Sequence, residues 1–299
     1  MKIIRNLLLI SIFIVGLAKV SSAQGDILSA ADFMKMVKAK KELVIIDASK
    51  SETYTKSHVK NAVNIPHATL YKEGDIEGLI MEPNKLAEIF ASKGVSNDKL
   101  IVVYDGGSQK YSSRVYWILK YLGASDVKIL HKDMNEWRKS RVPITKMPTK
   151  TSKGTFTVSL NKSIIADINE VKSGSAVILD ARAADEFDGS ADKSDGHLPG
   201  SVNIDYKDFL TESGAFKTQD ELLSLLKSKG ITSSSEIISY CRTSVRATVI
   251  YAAIVNVLGW NNIKVYDGAY LEWIAKGNKL QTKAGVAVSK KTGSASGGC

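Results

Sequence analysis

Glu236-Ile237-Ile238-Ser239-Tyr240-Cys241-Arg242-Thr243-Ser244-Val245-Arg246-Ala247-Thr248 is the stretch on which the reading of this chain turns. Its apolar opening, Glu236 to Tyr240, has the character of a buried strand, and the run from Val245 to Leu258 reads as a helix. A thiol between the end of such a strand and a helix N-terminus meets free backbone N–H groups and the positive end of the helix dipole. Both favour the thiolate, which is the nucleophilic form. Arg242 and Arg246 bring two cations close by. The plain alternative is a cysteine buried as a small hydrophobe. Two arginines this near in sequence are hard to bury for packing alone, which favours the chemical reading.

Cys241 to Arg246 has the spacing Cys-x4-Arg. A loop this short, with successive N–H groups aimed inward, forms a small anion-binding nest. Cysteine phosphatases use Cys-x5-Arg, one residue longer. Here that position is Ala247, which cannot hold a phosphate bidentately. The shorter loop fits a cysteine that carries one extra sulfur. The N–H groups would hold the terminal sulfur of a persulfide, and Arg246 would close the loop.

Working outward, the chain repeats itself. Leu43-Val44-Ile45-Ile46-Asp47-Ala48 matches Ala176-Val177-Ile178-Leu179-Asp180-Ala181. His58-Val59 leads to Val63-Asn64-Ile65 as His197-Leu198 leads to Val202-Asn203-Ile204. Leu100 to Asp105 matches Glu236 to Cys241, and from Asp105/Cys241 to Trp137/Trp273 the register needs no gap. Asp105 therefore stands where Cys241 stands, and the first half has no nucleophile at its strand-to-helix turn.

Each half alternates short apolar runs with helical patterns such as Pro83 to Lys93 and Gln219 to Lys229. That alternation implies parallel strands joined by crossover helices. Runs apolar throughout, such as Leu43–Ile46 and Ile101–Val103, suit strands buried on both faces. The expected fold class is α/β, with two tandem domains, each a parallel sheet with helices on both faces. The expected boundaries are a first domain at 24–145, a linker at 146–155, a second domain at 156–282 and a flexible tail at 283–299.

The N-terminus reads as a secretory signal over residues 1–23. Lys2 and Arg5 precede an apolar core from Leu7 to Ala18, which is short for a membrane span, and Ser21-Ser22-Ala23 offers small residues for cleavage. The mature chain is expected to be exported, to the periplasm if the source is a Gram-negative bacterium, without stable membrane association. The formal net charge of +10 falls to +7 once Lys2, Arg5 and Lys19 are removed. The remaining lysines are interleaved with acids, which argues against nucleic-acid binding but suits small anionic substrates. The chain has two cysteines, too few for a disulfide scaffold, and Cys299 is its last residue. With four histidines and no clustered spacing, no metal site is expected.

Four motifs together resemble the tandem-domain rhodaneses, sulfurtransferases of the thiosulfate/3-mercaptopyruvate type. They are Asp180-Ala181-Arg182 with Glu186-Phe187, Gly196-His197-Leu198-Pro199-Gly200-Ser201-Val202-Asn203, Tyr240 to Ala247, and Tyr266-Asp267-Gly268-Ala269-Tyr270-Leu271-Glu272-Trp273. The resemblance covers about residues 27 to 280. It implies that Cys241 attacks the outer sulfur of thiosulfate, that sulfite leaves, and that cyanide or a thiol then collects the sulfur from a persulfide. No cofactor is implied. The alternative within the same fold is a non-catalytic sulfur carrier or partner-binding module.

The resemblance names Arg242, Thr243, Ser244, Val245 and Arg246 as the loop and anion-binding residues, with Asp180, Arg182 and Glu186 in support. In the family the Asp180/Arg182 pair mostly shapes the site, with direct substrate contact as the alternative; His197, in a turn, and His58 read as structural, since a thiolate stabilised by the loop needs no base. The chain also departs from the family. Gly is common where Ser244 stands. The vertebrate thiosulfate enzymes place Lys at the position of Thr243 and a substrate-binding Arg at that of Glu186. The mercaptopyruvate branch has Cys-Gly-Ser-Gly in the loop, which Arg242 and Thr243 do not match. Thiosulfate or a related donor is therefore expected over mercaptopyruvate, and the internal duplication suits a monomer.

Overall fold

The apolar runs become the strands of two five-stranded sheets in the computed structural model, which describes residues 25–282 apart from 40 and 132, and residues 285–288. In the first half these are β1 (Ile27–Leu28), β2 (Leu43–Asp47), β3 (Ala62–Asn64), β4 (Leu100–Tyr104) and β5 (Val127–Leu130). In the second they are β6 (Ile165–Ala166), β7 (Val177–Asp180), β8 (Val202–Asn203), β9 (Ile237–Tyr240) and β10 (Ile263–Tyr266). The spatial orders are β1-β5-β4-β2-β3 and β6-β10-β9-β7-β8, so the two halves share one topology. Every neighbouring pair in both sheets is parallel.

Burial explains the unbroken apolar character of these strands. Ile101 and Val103 point into one core cluster while Val102 and Tyr104 point into another on the opposite face. The second sheet divides its residues in the same way, with Ile237 on one face and Ile238 and Tyr240 on the other. The outer faces are covered by helices carrying Phe33 and Trp137 in the first half and Tyr270 and Trp273 in the second. The inner faces share a single core. Helices Lys110–Tyr121 and Ala247–Ala253 lie in that shared layer, and every residue of the second is buried. A fully buried Leu, Ile or Phe side chain contributes about 1.5–3 kcal/mol, so the seam between the halves is a true core.

Helix ends depart slightly from the pattern. Pro83–Ser92 and Gln219–Lys227 stop one and two residues short of the expected ends. Thr218 and Glu221 form a capping box at the start of the latter. The helix expected over Val245 to Leu258 begins at Ala247 and passes into a π-helical turn, Ile254–Leu258, that ends at Gly259 with φ +71°. Residues 146–161 contain no helix or strand and lie against the first half, with Gly154 N–H donating to Ala91 O at 2.8 Å.

One correction falls at the C-terminus. Gly285–Val288, read from sequence as part of a flexible tail, pairs antiparallel with Lys279–Thr282. The signal segment at 1–23 and Cys299 lie outside the described residues. Among the described residues no helix is long and apolar enough to cross a membrane.

Candidate active site

β9 ends at Tyr240, and the chain turns through Cys241 to Arg246 before the helix that starts at Ala247. The loop's first two carbonyls face away from the turn. Cys241 O accepts from Tyr270 N–H at 3.0 Å and Arg242 O from Leu271 N–H at 3.3 Å. The N–H groups of Arg242, Thr243, Ser244 and Val245, by contrast, have no acceptor among the described residues. Ser244 has φ +63°, a left-handed conformation that bends successive amides into a concave nest. A serine there is strained, and glycine is the usual choice. Its hydroxyl donates to Tyr266 O, which holds the turn in place. Cys241 itself is 1 % exposed, so the thiol sits on the floor of the loop rather than at its mouth.

The first half shows what such a loop does when it carries its own anion. Asp105 Oδ1 accepts N–H groups from Gly107 at 2.7 Å and Gln109 at 3.3 Å. Its Oδ2 accepts those of Tyr111 at 3.0 Å and Ser112 at 3.3 Å. An internal carboxylate thus occupies the loop that in the second half is left open around Cys241.

The charged side chains add a partner that the sequence reading did not pair. Arg246, expected to close the loop over an anion, is gripped by Glu186, with Nη1 to Oε2 at 2.5 Å and Nη2 to Oε1 at 2.8 Å. Glu186 and Arg246 are sixty positions apart in the chain, so no local pattern announces the pair. Burial alone would raise the Glu186 carboxyl. The hydrogen bonds and charge of Arg246, and then the charge of Arg182, hold it below its ordinary value. Glu186 also accepts from Ala183 N–H at 3.3 Å.

Asp180 and Arg182 form the buried ion pair that the resemblance implies, with Nη2 to Oδ2 at 2.6 Å. Arg182 also donates to Ser194 Oγ at 3.1 Å and Gly196 O at 2.9 Å, and Tyr240 OH donates to Asp180 Oδ2 at 2.5 Å. The pair therefore ties the end of β7 to β9 beneath the loop. Arg242 reaches outward, and its Nη1 donates to Lys193 O at 2.7 Å. Thr243, Ser244 and Val245 are buried.

The sequence reads the first half as structural or as one wall of the site, but it does not single out the residues through which that half takes part. Arg114, fully buried, pairs with Asp267 across the seam at 2.6 Å and donates to Gly78 O at 2.8 Å. Asp267 Oδ2 accepts Ile80 N–H at 3.1 Å. A Cβ on Gly78 would lie 2.7 Å from Thr243 Cβ, so glycine is needed for the first half to approach the cysteine loop this closely. Asp267 opens the segment that caps the Cys241 and Arg242 carbonyls, so the silent half helps to shape the loop. Arg114 gave no sequence signal because it sits inside an ordinary helical pattern.

His197 stacks on Phe187 at 3.6 Å and its Nδ1 faces Phe187 O at 2.7 Å. His58 stacks on Tyr54 at 3.7 Å. Both are packed as structural residues. Among the described residues no group of three His, Cys, Asp or Glu side chains could hold a metal ion.

Residues 29–140 and 166–276 each match the rhodanese-like domain. The chain is 29 % identical over 252 residues to the thiosulfate sulfurtransferase of Bos taurus, covering 77 % of this chain and 84 % of that one. It is 28 % identical over 240 residues to the 3-mercaptopyruvate sulfurtransferase of Escherichia coli K12, covering 77 % and 85 %. The crystal structure of SseA from Escherichia coli, described as a 3-mercaptopyruvate sulfotransferase, superposes with a TM-score of 0.75 at 26 % identity, covering 82 % of this chain and 99 % of that one.

Proposed function

The chain belongs to the rhodanese-like domain family, and from that premise we propose that it is a sulfurtransferase in which Cys241 carries a sulfane sulfur between donor and acceptor. One observation carries the reading. The amides of Arg242 to Val245 surround a cysteine and have no acceptor among the described residues, whereas two of the matching amides of the first half, those of Gly107 and Gln109, bind the Asp105 carboxylate. A loop built to hold an anion, with a thiol at its base, suits a charged sulfur bonded to that thiol.

The reaction takes two steps. Cys241 thiolate attacks the outer sulfur of thiosulfate or a related donor. The new S–S bond forms as the donor's S–S bond breaks, and the leaving group (sulfite, from thiosulfate) departs with the electron pair. The terminal sulfur of the resulting persulfide is anionic and rests on the loop N–H groups, which need no reorganisation as charge arrives. Cyanide or a thiolate then attacks that sulfur, giving thiocyanate or a new persulfide and restoring the Cys241 thiolate. A thiol this enclosed admits only a slender group, and a single terminal sulfur is one.

Incubation with thiosulfate and cyanide tests this. Thiocyanate should form with the native chain and not with Cys241→Ser. The near-complete burial of Cys241 favours a second reading, a carrier or partner-binding module that loads sulfur without turnover. Thiocyanate output that stops at one equivalent would select it. We also propose that residues 1–23 are a cleaved export signal and that the mature chain works as a monomer. N-terminal sequencing of protein from the native host and its sedimentation test both.

A further inference from the structure

We propose that Glu186 is a charge filter that turns the Cys241 site toward singly charged sulfane-sulfur donors and against dianions such as thiosulfate; the inference rests on the sulfur-transfer reading above. Four arginines lie around the loop or its supports. Arg114 is paired with Asp267, Arg182 with Asp180 and Arg246 with Glu186. Among the described residues Arg242 is the one of the four that has no carboxylate in salt-bridge contact, and its guanidinium donates to Lys193 O. These four arginines and three carboxylates sum to +1, and the Cys241 thiolate brings the total to about zero.

A monoanionic donor therefore adds one uncompensated charge to a neutral site. A dianion adds two. Glu186 also faces the incoming anion's field with a negative charge of its own. Its side chain is only 22 % exposed, so solvent and salt screen it less than a surface carboxylate. The bidentate contact further fixes Arg246 on Glu186 rather than on a guest.

The electrostatic interaction of one carboxylate with a guest scales with the guest's charge. Removing the Glu186 charge while keeping its shape should therefore help a dianion twice as much, on a logarithmic scale, as a monoanion. Thiosulfate and methanethiosulfonate make a matched pair. Both give up a terminal sulfur, and methyl replaces one charged oxygen in the second. With Cys241 thiolate, methanethiosulfonate yields the persulfide and methanesulfinate, which leaves with the electron pair of the broken S–S bond.

The experiment measures kcat/KM for both donors, with cyanide as acceptor, on the full chain. The native chain should prefer methanethiosulfonate. Glu186→Gln should raise kcat/KM for thiosulfate by about tenfold and for methanethiosulfonate by about threefold, and the contrast should shrink with added salt. Glu186→Asp, which keeps the charge, should keep the native ratio. A native preference for thiosulfate, or a ratio unchanged in Glu186→Gln, overturns the proposal. If neither donor loads the native chain, the sulfur-transfer reading falls. The filter is then decided by alkylation of Cys241 with iodoacetate against iodoacetamide. Glu186→Gln should raise the iodoacetate-to-iodoacetamide rate ratio, and an unchanged ratio overturns the filter.

Discussion

Asp105 and Cys241 occupy the same position in the two halves, and the Asp105 carboxylate binds four backbone N–H groups at 2.7 to 3.3 Å. Around Cys241 the amides of Arg242 to Val245 have no acceptor among the described residues. Asp105→Ala should leave several enclosed donors unsatisfied, and each such group costs about 1–3 kcal/mol. The expected result is a loss of about 3 kcal/mol in urea unfolding, with Cys241 still loading sulfur. A fully stable Asp105→Ala protein would mean that the first loop does not depend on its internal anion.

The seam between the halves makes a second prediction. Arg114→Met leaves Asp267 buried without its cation and should cost about 3–5 kcal/mol, whereas the double variant Arg114→Met/Asp267→Leu should recover much of that loss. Unfolding of the two singles and the double, read as a cycle, gives the coupling. Because Asp267 opens the segment whose amides hold the Cys241 and Arg242 carbonyls, the singles should also slow sulfur loading in the fraction that remains folded.

Ser244 gives a third test. Its φ of +63° suits glycine and penalises a β-branched side chain. Ser244→Gly should keep the loop and most of the activity. Ser244→Val should distort the turn, lose the hydroxyl contact to Tyr266 O, and reduce kcat by at least about a hundredfold, a change of roughly 2.7 kcal/mol in the barrier. Activity in Ser244→Val close to the native value would show that the amide nest is not what supports the chemistry.

The acid side of the stability profile supplies the fourth. Burial, then the charge of Arg114 and of Lys110 and Lys50, lowers the His67 pKa to about 3, while its Nδ1 faces Tyr71 OH at 2.7 Å. The folded state holds His67 neutral over a range where the unfolded chain protonates it. The stability it contributes is therefore complete above about pH 6.5 and is lost progressively as pH falls toward 3. His67→Gln should remove up to about 1.4 kcal/mol per pH unit from the slope of stability between pH 6 and 4. An unchanged slope would place the titration elsewhere.

Much of the architecture was legible because duplication prints itself in the chain. The matched runs around Asp47 and Asp180, and the ungapped stretch from Asp105 to Trp137, reappear as strands and helices in the same order. The cysteine turn was legible because a lone thiol between a buried strand and a helix has few innocent explanations. What stayed hidden depends on distance in sequence. Glu186 meets Arg246, and Arg114 meets Asp267, only after the halves have folded and docked. Ser244 carries no mark of its left-handed backbone, since only the Tyr266 carbonyl reveals why serine is tolerated there. Gly285 to Val288 was read as tail because four residues flanked by lysine, serine and glycine carry too little pattern to announce a strand.

The central claim is that Cys241 accepts a single sulfur and the loop keeps it. Intact mass spectrometry of the reduced protein after treatment with excess thiosulfate tests this directly. The account predicts a gain of one sulfur atom, localised by peptide mapping to Cys241 and removed by cyanide. No gain at Cys241, with its thiol shown to be reduced, would contradict it.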